Sequence, residues 1–567
     1  MCGIVGILKI KDAIDREELD RFTDALAHRG PDGRSTFFDG NIGLGHRRLA
    51  ILDLSDAGKC PMPYGGKDGK RYWITYNGEI YNFLELRNEL KVLGYKFNTE
   101  TDTEVILASY AQWGKDCLLR FNGMWAFAIW DSIEKILFVA RDRFGIKPLY
   151  YSSSPEYFIF ASEIKAFLDL KNFPVKLNNE IIPQIIQNSY AHEGITNQTL
   201  MKNLLRLPSG HCMIVNNDGR YTLEKWWETV NHIPQIPERY EDQVARFSDL
   251  FMDAVRIRMR SDVAIGTCLS GGLDSSSVAC SMYHINSISR TEDLERCPKD
   301  WQQTFIATFP GTKIDEKEYA DEIVRHTNAI PHYWIFDGDK ALKSIIDSVW
   351  ATEDIYGGLV VPHWSIYREL RINKVVVSLD GHGSDELLGG YPQYLDWTMN
   401  QVNQNLFNAF HYSLLPAILR IYDRCSMAHG VESRMPFMDW RLVTFSFGLP
   451  PESKFGGGYT KRILRDAMKD IVPEIILQRT FKIGFNSPMI EWFNGGMKPL
   501  IQKVLNHTLW LDSPFWNGRM LREQILKKSE AQEWTYNDWG TTLHIWTLMN
   551  IVLWQLLFVE KDIKTIQ

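Results

Sequence analysis

Apolar positions along roughly the first two hundred residues come in short runs broken by Gly, Asn and Asp. The runs at 2–10, 71–76, 125–130, 136–140 and 157–161 predict strands, and 16–27 and 82–93 carry apolar residues at helical spacing. Together they predict an α+β sandwich, with sheets inside and helices packed outside. Strand-like runs end near 221–227, and 231–240 holds Pro234 and Pro237 with little periodicity, so it reads as a linker. The pattern then changes. Residues 243–259 have helical periodicity, and 263–269 form a buried-strand run that ends in a glycine-rich turn and another helix. Further buried strands are predicted at 304–309 and 374–379, and from about Leu406 the chain reads as mainly helical. Strands alternating with helices predict an α/β parallel sheet. The predicted organisation is therefore 1–230, a linker at 231–240, and 241–567 with a helical C-terminal part.

A chain of 567 residues exceeds one ordinary domain, which agrees with this division. The net charge of −7 provides no basic field for nucleic acid, so any bound phosphate has to be held locally by loops and a few lysines. The eight cysteines are scattered and contain no CxxC pair, which favours a reduced cytoplasmic setting over a disulfide scaffold or a zinc site. The N-terminus lacks the basic-then-apolar pattern of a signal peptide. The most membrane-like stretch, 543–559, is interrupted by His544, Asn550 and Gln555 and reads as a buried helix.

Two strings carry candidate chemistry. Cys2 follows Met1 and precedes Gly3. Removal of Met1 would give Cys2 a free α-amine, which titrates near ~7.7–8.0 and can take the thiol proton. In the second half, Leu269-Ser270-Gly271-Gly272-Leu273-Asp274-Ser275-Ser276 lies between a predicted strand and a predicted helix. Glycines let a backbone approach phosphate oxygens, and the helix start offers free N–H groups and the positive end of its dipole. Asp274 fits such an anion site if a cation such as Mg²⁺ comes with the phosphate. A second acidic loop, Asp380-Gly381-His382-Gly383-Ser384-Asp385-Glu386, follows the strand run ending at Leu379, so Asp385 is placed to share that Mg²⁺ with Asp274.

The turn at 269–276 resembles the PP-loop of ATP pyrophosphatases, and nearly the whole chain resembles glutamine-dependent asparagine synthetases. The first half is similar to class II glutamine amidotransferases of the N-terminal nucleophile hydrolase type. It carries Cys2, the His28-Arg29-Gly30-Pro31-Asp32-Gly33 turn, Arg48, the Asn77-Gly78-Glu79-Ile80-Tyr81-Asn82 segment and Asp102. The resemblance implies that Cys2 is the nucleophile and that Asn77 and Gly78 form the oxyanion hole. It implies that Arg48, Asn77, Glu79 and Asp102 bind glutamine, Arg48 through its α-carboxylate and Asp102 through its α-amine. In the second half it implies ATP-binding roles for Leu269, Ser270, Gly271, Gly272, Asp274, Ser275, Ala307 and Gly381, and a catalytic role for Lys461 near pyrophosphate. Asp423-Arg424, Glu432-Ser433-Arg434, Arg479, Lys482 and Gly484-Phe485 match later family signatures, and are expected to be mainly architectural ion pairs that shape the acceptor pocket.

The resemblance implies ATP and Mg²⁺ as cofactors and transfer of ammonia from glutamine to the activated β-carboxylate of aspartate. The alternative is another carboxylate in secondary-metabolite or peptide modification. The expected partners are these small molecules, with no nucleic acid, no membrane and a homodimer allowed. The chain departs from the pattern at His382, where the best-known members have a glutamate credited with acid–base work on the amine. Histidine is also a competent base near neutral pH.

Overall fold

The computed structural model describes residues 1–567 apart from 66–69, 289–295, 313, 483–486, 563 and 565–567. Gly484 and Phe485 therefore lie outside the described residues. The first unit contains β1 (Gly3–Lys9), β2 (Gly33–Asp39), β3 (Ile42–Arg48), β4 (Met62–Tyr64), β5 (Tyr72–Ile80), β6 (Gly123–Asp131), β7 (Ile136–Arg141), β8 (Tyr150–Ser153), β9 (Tyr157–Ala161), β10 (Leu205–Arg206), β11 (His211–Asn216) and β12 (Tyr221–Lys225). They form two antiparallel six-stranded sheets, ordered β10-β8-β9-β1-β3-β2 and β12-β11-β7-β6-β5-β4.

The period-two alternation of β1 explains the layering. Ile4 and Leu8 face the second sheet, in a core shared with Ala128, Trp130 and Val139. Val5 and Ile7 face outward and are covered by Leu19 and Phe22 of the helix Arg16–Asp24. Asp15 caps that helix, its carboxylate accepting from the N–H groups of Glu17 and Glu18. On the far side, the helix Asp102–Trp113 covers Ile74 and Phe127 with Val105 and Ile106. Two sheets thus lie between two helical layers, the sandwich expected from the sequence.

Asn77-Gly78 is a strong short-range hairpin signal when taken alone. Here it lies inside β5, with Asn77 opposite Ala126 and Gly78 opposite Trp125 on β6. A Cβ on Gly78 would fall 2.2 Å from the Met124 carbonyl oxygen, so the strand pair closes only over glycine.

The second unit is built on β13 (Ile265–Cys268), β14 (Gln303–Thr308), β15 (Ile330–Ile335), β16 (Val377–Leu379) and β17 (Glu432–Arg434), all parallel, in the order β15-β14-β13-β16-β17. Successive strands go to one side of β13 and then to the other, which opens a crevice at the carboxyl ends of β13 and β16. The last strand goes beyond what the sequence pattern predicts. Glu432 and Arg434, both charged, are buried in it and neutralise each other at 2.6 Å. Helices fill the rest. The stretch Tyr536–Glu560 is long and apolar enough to cross a membrane by length and composition, yet 72% of its most apolar window is buried within the protein. It packs with Trp510 and Phe493 in a core of its own.

Candidate active sites

The first site gathers at one end of the sandwich, where the start of β1, the end of β3, the middle of β5 and the N-terminus of helix Asp102–Trp113 meet. Cys2, Arg48, Gly78, Glu79 and Asp102 line one small cavity of about 40 Å³, and Asn77 lies beside them. The Cys2 nitrogen donates to Asn77 Oδ1 at 3.0 Å. That bond orients the amide and leaves Asn77 Nδ2 buried with no partner among the described residues. An unmade donor of this kind costs free energy and is suited to an incoming oxyanion. Burial pushes the Cys2 thiol up, while the nearby N-terminal ammonium and the Leu49 carbonyl act the other way.

Asp102 accepts from the Tyr76 hydroxyl at 2.8 Å and the Ile80 N–H at 2.9 Å. Burial pushes its carboxyl up to about 6. Burial and the nearby Asp102 carry Glu79 well above the usual carboxylate range, and its Oε1 has no hydrogen-bond partner among the described residues. Arg48 spans the adjoining loop, donating to the carbonyls of Ser55, at 2.7 Å, and Asp53.

One wall of this cavity comes from the other unit. Glu432 on β17 lies 3.1 Å from the Met1 ammonium. Burial opposes its charge, but that ammonium and Arg434 hold its carboxyl down to about 2. Arg434 also reaches Glu79 Oε2 at 3.4 Å and donates to the carbonyls of Arg258 and Arg260. Arg29 makes a second crossing: its Nε donates to the Cys2 carbonyl at 3.0 Å and its Nη1 bonds Glu163, at 2.6 Å, and Asp423, at 2.9 Å. Arg424 bonds Glu353 at 3.0 Å and the Ser162 carbonyl at 3.1 Å. Asp423, Arg424, Glu432 and Arg434 are indeed buried ion pairs, but they join the two units rather than shape an acceptor pocket.

The second site occupies the crevice, a cavity of about 460 Å³. The turn after β13 folds back on itself: Ser270 Oγ lies 3.1 Å from Ser275 Oγ and accepts from the Gly272 N–H at 3.2 Å. Gly271 has φ +75°, and a Cβ there would meet the Ala320 nitrogen at 2.6 Å. Leu269 and Ala307 line the β13–β14 side, and Gly381 lies against Asp274.

Asp274 and Asp385 converge on one ammonium. Lys461 Nζ is 2.5 Å from Asp274 Oδ1 and 2.6 Å from Asp385 Oδ1. Lys461 itself has φ +54°, a left-handed conformation uncommon outside glycine and frequent at functional sites. Lys482, expected to be architectural, projects into the same cavity and pairs with Asp385. Against burial, Lys461 and Lys482 hold the Asp385 carboxyl well below the usual range. Two carboxylates that share one ammonium could share one small divalent cation instead. No group of three or more His, Cys, Asp and Glu converges among the described residues. That donor set fits Mg²⁺, which takes one or two carboxylates together with phosphate oxygens and water.

His382 also lines the cavity. Its ring stacks on Tyr422, with centroids 3.4 Å apart, and its Nε2 is 3.7 Å from Asp380, with no partner within hydrogen-bond distance among the described residues. Sequence reasoning missed Glu386, which accepts from the Tyr391 hydroxyl at 2.8 Å; burial and Asp385 push its carboxyl up to about 7. Its place next to Asp385 was the only available signal.

Comparison with known proteins bears on both sites. Residues 1–227 match the family model of a glutamine amidotransferase domain, and residues 246–408 and 395–555 match that of asparagine synthase. A Bacillus subtilis protein named asparagine synthetase [glutamine-hydrolyzing] 1 is 26% identical over 99% of this chain and 97% of its own. Another, asparagine synthetase [glutamine-hydrolyzing] 3 of the same organism, is 30% identical over 84% of this chain and 86% of its own. Amidase chry2 of Gibberella zeae is 25% identical over 88% of this chain and 77% of its own.

Proposed function

Because the chain belongs to the asparagine synthase family, with a glutamine amidotransferase domain ahead of the synthase domain, we propose that it is a glutamine-hydrolysing, ATP-dependent amide ligase. At the first site Cys2, freed of Met1, attacks the glutamine amide, and its own α-amine takes the thiol proton. Asn77 Nδ2 and the Gly78 N–H receive the oxyanion; the C–N bond then breaks, ammonia leaves with the proton returned by the α-amine, and water hydrolyses the glutamyl thioester to glutamate and free Cys2. Arg48 and Asp102 hold the glutamine α-carboxylate and α-amine, with Glu79 beside them. At the second site ATP supplies the activation of a carboxylate. Ser270, Gly271, Gly272 and Ser275 would cradle its phosphates, Leu269, Ala307 and Gly381 would flank the nucleoside, and Asp274 and Asp385 would hold Mg²⁺. Lys461 neutralises charge on the leaving group, and His382 accepts a proton from the attacking amine.

The observation that carries this reading is the Glu432 wall. A residue of the synthase unit closes the glutaminase pocket, so ammonia is released facing the unit that consumes it. The acceptor expected from the family is the β-carboxylate of aspartate. His382 in place of the family glutamate favours a second reading, another carboxylate handled by the same machinery. The test is turnover of glutamine labelled with ¹⁵N in its side-chain amide, together with ATP, Mg²⁺ and a carboxylate panel. The expected result is ¹⁵N in a new amide with pyrophosphate released alongside glutamate. Glutamate release without pyrophosphate from any carboxylate would overturn the ligase half.

A further inference from the structure

The second cavity wall says more about the acceptor than the motifs do. Its basic side chains are committed at the phosphate end: Lys461 and Lys482 to Asp274 and Asp385, Arg479 to Glu316 and the Gly271 carbonyl, and Arg465 to the carbonyls of Thr460 and Leu477. Beyond His382 the lining turns aromatic and aliphatic, with Tyr190, Tyr356, Leu414, Ile418 and Tyr422. Glu386 is the one lining carboxylate that makes no ion pair among the described residues. Free aspartate would bring an α-carboxylate as well as an α-ammonium to this end. Among the described residues this end of the wall offers that carboxylate no lysine or arginine, and a buried unpaired charge is costly.

Tyr190, Tyr394 and Leu414 also form part of a second cavity of about 460 Å³, so the two spaces share a wall. No charged side chain lines this annex among the described residues. It instead presents an aromatic face, Tyr394 stacked on Trp397 with centroids 3.9 Å apart and planes 18° apart. Amide groups of Asn188, Asn405 and Asn408 and the Ser413 hydroxyl also line it. Asn188 Oδ1 accepts from the Tyr190 N–H at 3.0 Å, which leaves its amide NH₂ to donate elsewhere. An aromatic face attracts polarised C–H groups through its quadrupole, while amides pair with neutral hydroxyls that both donate and accept. That combination suits a polyhydroxylated ring, and it gives a zwitterion's two charges no ion pair among the described residues.

We propose that the acceptor carboxylate is carried on a neutral polyhydroxylated ring, a sugar acid of the uronic type, whose ring occupies the annex while its carboxylate reaches past Tyr190 and Tyr394 to His382. The inference rests on the amide-ligase reading and departs from its aspartate expectation. The chemistry balances without a further reactant. One carboxylate oxygen leaves on AMP, pyrophosphate carries the other two phosphoryl groups, ammonia nitrogen forms the new C–N bond, and one proton is released.

The test is pyrophosphate release by the full-length enzyme with glutamine, ATP and Mg²⁺, offered aspartate, D-glucuronate, D-galacturonate, their methyl glycosides or a short oligogalacturonide. The expected result is a kcat/KM for at least one uronate roughly tenfold or more above that for aspartate. Preference for the free acid or for the glycosides distinguishes a monosaccharide substrate from a glycan end. Trp397→Ala should raise the uronate KM by roughly tenfold with little change in kcat, and Trp397→Phe should restore it. Asn405→Ala should raise that KM by about threefold. Glutamate release by each variant reports whether it has folded. Pyrophosphate release with aspartate in preference to every uronate overturns this proposal and leaves the ligase reading standing. So does an unchanged uronate KM in a folded Trp397→Ala. No pyrophosphate with any of these acids overturns this proposal, and none with the wider carboxylate panel overturns the ligase reading as well.

Discussion

At the glutaminase pocket, polar groups are buried and left in part unpartnered: Glu79 Oε1 at a space of about 40 Å³, and Asn77 Nδ2 beside it, have no partner among the described residues. In the ligase cavity, more than ten times larger, the charged groups are paired: Asp274, Asp385, Lys461 and Lys482 bond one another. The first site is preorganised, since Arg48 and Asp102 are fixed by their own hydrogen bonds and the Asn77 donor is left unused. The second is completed by its ligand. A metal ion and phosphates would have to take the carboxylates from the lysines and hand the lysines new anions. Glutamine hydrolysis should therefore depend on few residues acting as a fixed array, and the ligase step on a set of charges that exchange partners.

The largest effect tests the independence of the two regions. Cys2→Ala should lower glutamate release from glutamine by at least about 10⁴-fold. Pyrophosphate release driven by added ammonium should persist. Loss of both activities would show that the sites cannot be separated. Next, His382→Ala should slow ammonia-dependent amide formation by roughly 10²–10⁴-fold if the ring acts as base. ATP–pyrophosphate exchange should remain near wild type, and equal loss of both would assign His382 to nucleotide binding or loop packing.

A matched pair then sharpens the contrast. Asn77→Ala should cut kcat for glutamine by about 10²–10³-fold with little change in KM, as expected for a donor used only in the transition state. Asp274→Asn or Asp385→Asn should cut pyrophosphate release by about 10²–10³-fold and also raise the Mg²⁺ requirement, because these groups hold a ligand as well as act on it. An unchanged Mg²⁺ requirement in both variants would dismiss the shared cation. The smallest effect is a pH dependence. Burial puts the Asp102 carboxyl at about 6, and only its ionised form holds an ammonium. The glutamine KM should therefore rise as pH falls below about 6, by roughly tenfold per unit at the limit. Asp102→Asn should have a high KM at every pH and no such limb.

The glutaminase residues are legible in the sequence because each lies in a local string whose chemistry can be stated: Cys2 behind Met1, Asn77-Gly78 in one run, Asp102 at a helix start. The phosphate turn is legible for the same reason, a glycine-rich link between a strand and a helix. Contacts between residues hundreds of positions apart leave no such mark. Nothing local in Glu432-Ser433-Arg434 says that it is a strand, since two of its three residues are charged. Only the pairing of Glu432 with Arg434 and Met1 makes their burial tolerable. Lys482 likewise reads as architecture from sequence, because its partner Asp385 lies on a loop nearly a hundred residues earlier. Alternating strands and helices indicate a parallel sheet but leave the order of its strands open, since that order depends on which crossover passes which face.

Met1 is 1% exposed, and its ammonium is held by a strand of the other unit. A protease that trims chain ends has no access to it once the two units have closed. If Cys2 is to act through its own α-amine, excision has to come before the two units close over Met1. At about 5–20 residues per second, synthesis as far as residue 432 alone gives it a period of roughly 20–90 s. The Met1–Glu432 contact thus acts as a deadline. On the proposed mechanism, a chain trimmed in time would use glutamine, whereas one that closed first would keep its methionine and draw only on free ammonia.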